Sequence, residues 1–446
     1  MDTGRPFPKK SANIGDNVDR ISKLPDEALC HILSFLTTKQ AVSTSILSKR
    51  WEHVWTLTPN LDFSDQFSYK FAEDYSNCTT VFSSLKDYVD RVLFYHGGSI
   101  VRKFHLQCIT KDASPNIYAW VCAVLACNVQ ELIVETSFCN SQPLPWRVFT
   151  CKTLVVLRIN GMFVLDLPTN ICFPCLKILS LAHVVYVDDV SMHKLFSSCP
   201  ILEDLAIVRQ GWDGVQIMNI SVPSLKRLSI SSHYFAGCKY KTEIKTPFLE
   251  YIEFKDSSLT NSSMSVSSSL VEARIDGRCS SEFLNGISQV KVLVLSGDAM
   301  SSLNYVRDST MPTFQNLTKL MLYVSEFINW EPLPDFLNSS PKLEVLVFPE
   351  ARLVVPKENG RGFRGFYWHS PEMEPECLLS SLKTIEINNF VGMPGEIYLA
   401  EYLLQYAEVL EMMTIRGYNF SGRPRMQKKL EALRNEIIDF ARDSSD

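Results

Sequence analysis

An apolar residue, two variable positions, a second apolar residue, one variable position and a third apolar residue recur down most of this chain. That recurrence limits the fold more than any other feature. It appears as Val101-x-x-Phe104-x-Leu106, Val129-x-x-Leu132-x-Val134, Leu154-x-x-Leu157-x-Ile159 and Leu176-x-x-Leu179-x-Leu181, and its later anchors are Leu202, Leu225, Leu249, Leu270, Val290, Leu317, Leu343, Leu382 and Leu410. About thirteen windows, usually separated by roughly 20–28 residues, are too regular for an unrepeated domain. The alternating end of each window suits a short strand with one face in a core, and the rest of the period must climb to the next coil.

Phe173-Pro174, Cys199-Pro200, Val222-Pro223, Thr246-Pro247 and Ser340-Pro341 precede their anchors by two or three residues, where proline ends the previous segment and holds the chain extended. Some return segments are expected to be helical. Ser114-Pro115 starts one that buries Ile117 to Cys127, and Asp188 to Phe196 carries acids at its N-terminal end. Asn261 to Ser269, serine at six positions, is expected to be a flexible loop, and Lys357 to Gly362 an exposed one.

Upstream of the repeats, Leu24 to Trp55 forms a helical unit. Pro25 suits a first helical position, Asp26 and Glu27 favour the positive end of the helix dipole, and Leu29, Ile32, Leu33 and Leu36 make one apolar stripe. Thr38 is placed to cap a second helix with Ala41, Val42, Ile46 and Leu47, and Ser48 a third with Trp51, Val54 and Trp55. About 40 residues make a marginal core, so part of this apolar surface needs cover from elsewhere. A joining helix follows, with Phe82, Leu85, Tyr88, Val89, Val92 and Leu93 at helical spacing before Gly97-Gly98.

LPDE, the ILSFL run, Ala41-Val42 and LSKRW, followed by Asn60-Leu61-Asp62-Phe63, resemble a plant F-box. The resemblance implies docking on the Skp-like adaptor of a cullin-RING ubiquitin ligase, with Leu24, Pro25, Ile32, Leu33, Leu36, Val42, Leu47 and Trp51 forming or supporting the adaptor-binding face. Near the other end, Trp368, Pro371, Pro375 to Leu378, Ser381 to Lys383, Phe390 to Gly392, Glu396 and Ala407 to Leu410 resemble the FBD module that ends many plant F-box/leucine-rich-repeat proteins. A strand at Thr384–Ile387, a helix near Glu396–Tyr406 striped by Leu399, Tyr402, Leu403 and Tyr406, and a strand near Met412–Ile415 would continue and cap the solenoid. After Phe420 the sequence departs from that family, with a charged amphipathic segment at Met426 to Arg442.

The expected class is α/β: a three-helix F-box, an irregular leucine-rich-repeat solenoid whose curved sheet has helical or irregular return segments, and an FBD-like module. The divisions are a tail at 1–17, F-box at 18–63, joining helical segment at 64–98, solenoid at 99–350, FBD-like module at 351–420 and a charged helix or tail at 421–446.

A net charge of -5 and a pI near 6.0 argue against nucleic acid or an anionic membrane as partner, and the F-box lacks the basic stripe of a DNA-reading helical unit. The polar opening MDTGRPFPKKSANIGDN holds no apolar export core, and thirteen cysteines without one imply reduced thiols in cytoplasm or nucleus. Cys172-x-x-Cys175 lacks the further pair of a structural zinc site, so it is expected to pack around an anchor leucine. No sequence cluster joins a cysteine to His31, His183 or His193, no phosphate-cradling glycine loop occurs, and Asp188-Asp189 is accounted for as helix-start charge. Neither cofactor nor metal is expected.

The resemblance therefore implies a non-enzymatic subunit that binds the adaptor and an unknown protein target. The alternatives are an interaction protein that uses the adaptor without promoting degradation, and an enzyme with a buried Cys/His site. Alternation assigns Arg227 and Ser229, Tyr251 and Glu253, Val292 and Val294, Met321 and Tyr323, and Val345 and Val347 to the concave sheet face. The apolar part of that face, Val292, Val294, Met321, Tyr323, Val345 and Val347, is the expected target-binding surface.

Overall fold

The computed structural model describes residues 21, 23–64, 78–108, 114–136, 141–210, 213–232, 240–256, 262–303, 311–323, 332–349, 374–390 and 394–417. The tail, Lys357 to Gly362 and the Met426 to Arg442 segment lie outside these residues.

Three short helices open the fold: α1 (Asp26–Leu33), α2 (Thr38–Ser43) and α3 (Trp51–Val54). Thr37, not Thr38, caps α2, in a reciprocal capping box with Gln40. Thr38 is buried, and its hydroxyl accepts the Asp62 amide at 2.7 Å. Ser48 does not cap α3 either; Arg50 holds the N-cap position, and Ser48 contributes its carbonyl to the Glu52 amide. The helix α4 (Cys78–His96) then stops at Gly97 and Gly98, both at positive φ, and buries Leu85, Val89 and Val92; the Phe82 side chain is outside the description. Helix α5 (Ser114–Leu125) buries Ile117, Trp120, Val121 and Val124, and the Trp120 indole donates to Asp90 on α4 at 2.7 Å.

The windows become strands of one 14-stranded parallel sheet, each paired with the window before and after it. Its first member, β1 (Asn60–Phe63), pairs with β2 (Lys103–Cys108). Strand β1 has no window of its own: Asn60 to Phe63 counted as the tail of the F-box, yet Leu61 and Phe63 are wholly buried in the repeat core. At the other end the sheet runs through Val345–Phe348 into Thr384–Phe390 and Met412–Gly417. The expected divisions at 63 and 350 therefore fall inside one continuous sheet, and the FBD-like module supplies its last two strands and the helix Pro394–Tyr406.

Proline acts at the coil corners by turning the chain rather than only extending it. The anchor amides of Leu176, Leu202, Leu225, Leu249 and Leu343 donate to the carbonyls of Phe173, Cys199, Val222, Thr246 and Ser340, which puts each proline at the second position of a hydrogen-bonded turn, where its fixed φ fits. Hydroxyls then tie coil to coil. Thr153, Ser224 and Ser381, each one residue before an anchor, donate to the carbonyls of the preceding anchors Val129, Leu202 and Leu343 at 2.7, 2.8 and 3.0 Å.

One return segment is helical as expected, and others are more ordered than expected. Asp188 caps Asp189–Ser197 by accepting the Ser191 amide at 2.6 Å. Short strands stack into two further three-stranded parallel sheets. One of them takes in Ser263–Met264, and Ser262 and Ser267 nearby are buried, with Ser267 donating to Pro247 and Leu249 carbonyls. The described part of the serine-rich stretch is thus bonded structure, not a loose loop.

A buried polar cluster at the ends of the middle strands carried no legible signal. Arg209 pairs with Asp213, donates to the Val215 carbonyl at 3.2 Å and lies 4.4 Å from the Tyr240 ring, while the Ser232 and Tyr240 hydroxyls bond Asp256. The next coil leaves no room for a side chain at Gly277: φ is +134° and a Cβ would stand 1.8 Å from the Asp256 carbonyl oxygen.

Candidate functional site

The helical unit sorts its apolar residues into two sets. Leu29, Leu33, Ala41, Trp51, Val54 and Trp55 are core, whereas Phe35, Ile46 and Leu47 are 76 %, 87 % and 64 % exposed and Ile32 is also exposed. Of the eight residues expected at the adaptor face, Pro25, Ile32 and Leu47 are open to a partner, Leu24, Leu36 and Val42 are half-buried, and Leu33 and Trp51 are enclosed. Leu33 and Trp51 can therefore act only by supporting the face. Helical spacing did not separate them, because a stripe of four apolar positions on so short a helix spans both its inner and its outer flank. Phe35 and Ile46 were outside the expected set. Their signal was present in the sequence: large apolar residues too numerous for so small a core.

The presenting surface is held firmly. Arg50 joins the start of α3 to the start of α1, bonding Asp26 at 2.6 Å and the Leu24 carbonyl at 2.5 Å. Asn60 reaches from β1 to the Ser34 carbonyl at 3.1 Å. Asp62 completes the junction: its carboxylate accepts from Ser64 and His105 and forms an ion pair with Lys103, the last two on β2. Burial opposes its ionisation, but the His105 and Ser64 hydrogen bonds outweigh this and hold the carboxyl well below the usual carboxylate range.

The second surface is the outer face of the long sheet. In-register residues form a row through Asp204, Arg227, Tyr251, Glu272, Val292, Lys319, Val345 and Thr384. Two residues further on, a parallel row passes Glu253, Arg274, Val294, Met321, Val347 and Glu386. The polar section satisfies itself. Lys255 bonds Glu253 and Arg274 bonds Glu272, both at 2.7 Å, and the Arg227 guanidinium lies 4.3 Å from the Tyr251 ring. Burial alone would raise the Glu253 carboxyl, yet hydrogen bonds from Lys255 and Ser229 bring it below its ordinary range.

The apolar section is narrower than alternation implied. Val292, Met321 and Val345 are half-buried and Tyr323 is 39 % exposed, but Val294 and Val347 are only 7 % and 6 % exposed although they face away from the main core. Alternation fixes which face a side chain is on; it does not fix how deeply its neighbours cover it.

Cys199, Cys279 and Cys377 are buried, which pushes their thiols up to about 12 and keeps them protonated. Cys172 and Cys175 are exposed, contrary to the expectation that they pack around Leu176; the turn at Phe173-Pro174 points Phe173 inward and leaves the flanking thiols outside. Among the described residues no group of three or more His, Cys, Asp or Glu could hold a metal ion, and no helix is long and apolar enough to cross a membrane.

Comparison with known proteins follows the same three regions. The F-box domain model matches residues 21–63, the model for the leucine-rich repeats of FBD-associated F-box protein At5g56370 matches 117–275, and the FBD model matches 370–415. FBD-associated F-box protein At4g10400 of Arabidopsis thaliana is 32% identical over 407 residues, covering 90% of this chain and 93% of the relative. F-box/FBD/LRR-repeat protein At4g00160 of the same plant is 32% identical over 425 residues, 93% of this chain and 89% of the relative. With an F-box that implies binding to a Skp-like adaptor, repeats suited to protein interaction and an FBD that completes their sheet, this chain belongs to the plant F-box/FBD/leucine-rich-repeat family.

Proposed function

We propose that this protein is the substrate-selecting subunit of a Skp–cullin–F-box ubiquitin ligase, working in the cytoplasm or nucleus. It catalyses nothing itself. One surface docks on the adaptor and another holds a target protein, so that the target's effective concentration beside the ubiquitin-charged enzyme rises.

The observation that carries this reading is the exposed apolar group Ile32, Phe35, Ile46 and Leu47 on a helical unit whose own core is already filled by Leu29, Leu33, Trp51 and Val54. Large apolar side chains exposed in this number favour a protein partner, and anchors of this kind supply most of the affinity of an interface. The test is reconstitution. The full chain should co-purify with a Skp-like adaptor and cullin, and an Ile46→Asp/Leu47→Asp variant should lose the adaptor while keeping its circular-dichroism spectrum and melting temperature. Undiminished adaptor binding by that folded variant would sink the assignment. Ubiquitin transfer by the isolated protein, abolished by changing one cysteine, would instead support an enzyme.

A further inference from the structure

Among the described cations on the outer face of the sheet, Arg158 and Lys319 make no ion pair, and of these two only Lys319 borders the apolar section. Arg227 pairs with Asp204, Lys255 with Glu253, Arg274 with Glu272 and Arg416 with Glu386. Lys319 is half-buried and makes no ion pair among the described residues. Its neighbours in register are Val292 on one side and Val345 on the other, and two residues along the same strand is Met321. A single ammonium thus stands at the border of the apolar section, with valine on both flanks.

We infer that this section receives an extended segment of a partner protein in which an aliphatic side chain and a carboxylate lie two residues apart, the aliphatic group on Met321 and the carboxylate on Lys319. The inference rests on the reading of this face as the target-holding surface. A purely apolar segment pressed onto Val292, Met321 and Val345 would strip water from the Lys319 ammonium and give nothing back. A carboxylate restores the lost interaction with a charge-assisted hydrogen bond, which is stronger than a neutral one where water is excluded. Lys319 therefore acts against wrong partners as much as for the right one. The spacing follows from the strand: Lys319 and Met321 are on one face, roughly 7 Å apart, which is the separation of alternate residues in an extended chain. A lone ammonium also matches one negative charge. Phosphoserine, carrying about −1.5 to −2, would be left with excess charge against valine side chains.

The probe is a set of fluorescein-labelled nonapeptide pools with leucine at position five, aspartate, asparagine, lysine or phosphoserine at position seven, and mixed polar residues elsewhere. Binding to the full chain is followed by fluorescence polarisation. The aspartate pool should bind at least tenfold tighter than the asparagine pool. Lys319→Met should abolish that preference, and Lys319→Glu should transfer it to the lysine pool. Equal binding of aspartate and asparagine pools, a preference for phosphoserine, no binding of any pool, or a preference that survives Lys319→Met would each overturn the inference. Met321→Ser/Tyr323→Ser separates the two readings. If it weakens all pools alike while Lys319→Met changes nothing, the target face stands and the acidic partner class falls.

Discussion

The Thr38 hydroxyl accepts the Asp62 amide at 2.7 Å, so the second helix of the F-box directly satisfies the first strand of the repeat sheet. An open sheet edge would leave this amide exposed to foreign strands or buried without a partner. The F-box is thereby built onto the first coil rather than hung from it, and the orientation of the adaptor face relative to that coil is fixed by bonds. Thr38→Val keeps the shape and removes the acceptor. It should cost about 1–3 kcal/mol, the penalty of an orphaned buried donor, and speed hydrogen exchange at the Asp62 amide above all others in β1. Unchanged exchange there would mean that water replaces the hydroxyl without loss.

Asp62 gives the same junction a pH dependence. Its carboxyl is depressed in the folded chain, so the stability it contributes is present above its unfolded value near 4 and is lost as pH falls through that value toward the folded one. Asp62→Asn should lower the unfolding free energy at neutral pH, and the gap from the parent should close as pH falls below about 4. A gap independent of pH would show that packing, not charge, is what the substitution removes.

Two leucines of the F-box, Leu33 and Leu47, should separate fold from docking. Leu33→Asp buries a charge in a filled core and should prevent the unit from folding; Leu47→Asp exposes it to water and should only weaken the adaptor. Limited proteolysis distinguishes them: rapid cleavage within 24–55 for Leu33→Asp, parent-like resistance for Leu47→Asp. Equal resistance would move Leu33 from the core to the docking face.

Arg209 and Asp213 are 2 % and 4 % exposed, and removal of one partner leaves the other charge buried. Arg209→Met should therefore destabilise the chain by roughly 3–5 kcal/mol, whereas replacing both members by apolar residues should recover much of that loss. Denaturant unfolding of the two variants reads the difference. A single variant as stable as the parent would show that Asp213 finds water or takes up a proton.

What was legible in the sequence follows from which forces are periodic. Window anchors such as Leu157 and Leu293 recur because every coil must fill the same interior, and they identify thirteen of the fourteen strands. Strand β1 escaped because Thr58, buried three residues before Leu61, stands where the other windows carry an apolar anchor. The hydroxyl ties at Thr153, Ser224 and Ser381 were also readable in principle, as a serine or threonine just before an anchor. Arg209, Asp213, Tyr240 and Asp256 were not, since they meet across coils through segments of unequal length. The expected adaptor face was half legible: apolar identity is written in the residues, but the division between Leu33 inside and Leu47 outside depends on how the short helices pack together.

The proposed target face offers the test least dependent on the F-box. Met321 lies on the strand Lys319–Leu322, half-buried, and Tyr323 just past its end is 39 % exposed, while Val294 and Val347 beside Met321 are already covered. An incoming side chain would therefore touch Met321, Tyr323 and the outer valines Val292 and Val345, and covered Val294 and Val347 would serve as its floor. Met321→Ser/Tyr323→Ser should weaken target binding by about 2 kcal/mol, as loss of a central anchor does, without lowering the melting temperature by more than a degree or two, because neither residue belongs to the repeat core. Val347→Ser, by contrast, removes a covered side chain and should lower stability as well as binding. The comparison uses target recovered with the full chain from plant extract and measured against each variant by titration calorimetry. If the double variant binds as the parent does, the target sits elsewhere, and the self-paired polar section from Arg227 to Arg274 becomes the next surface to alter.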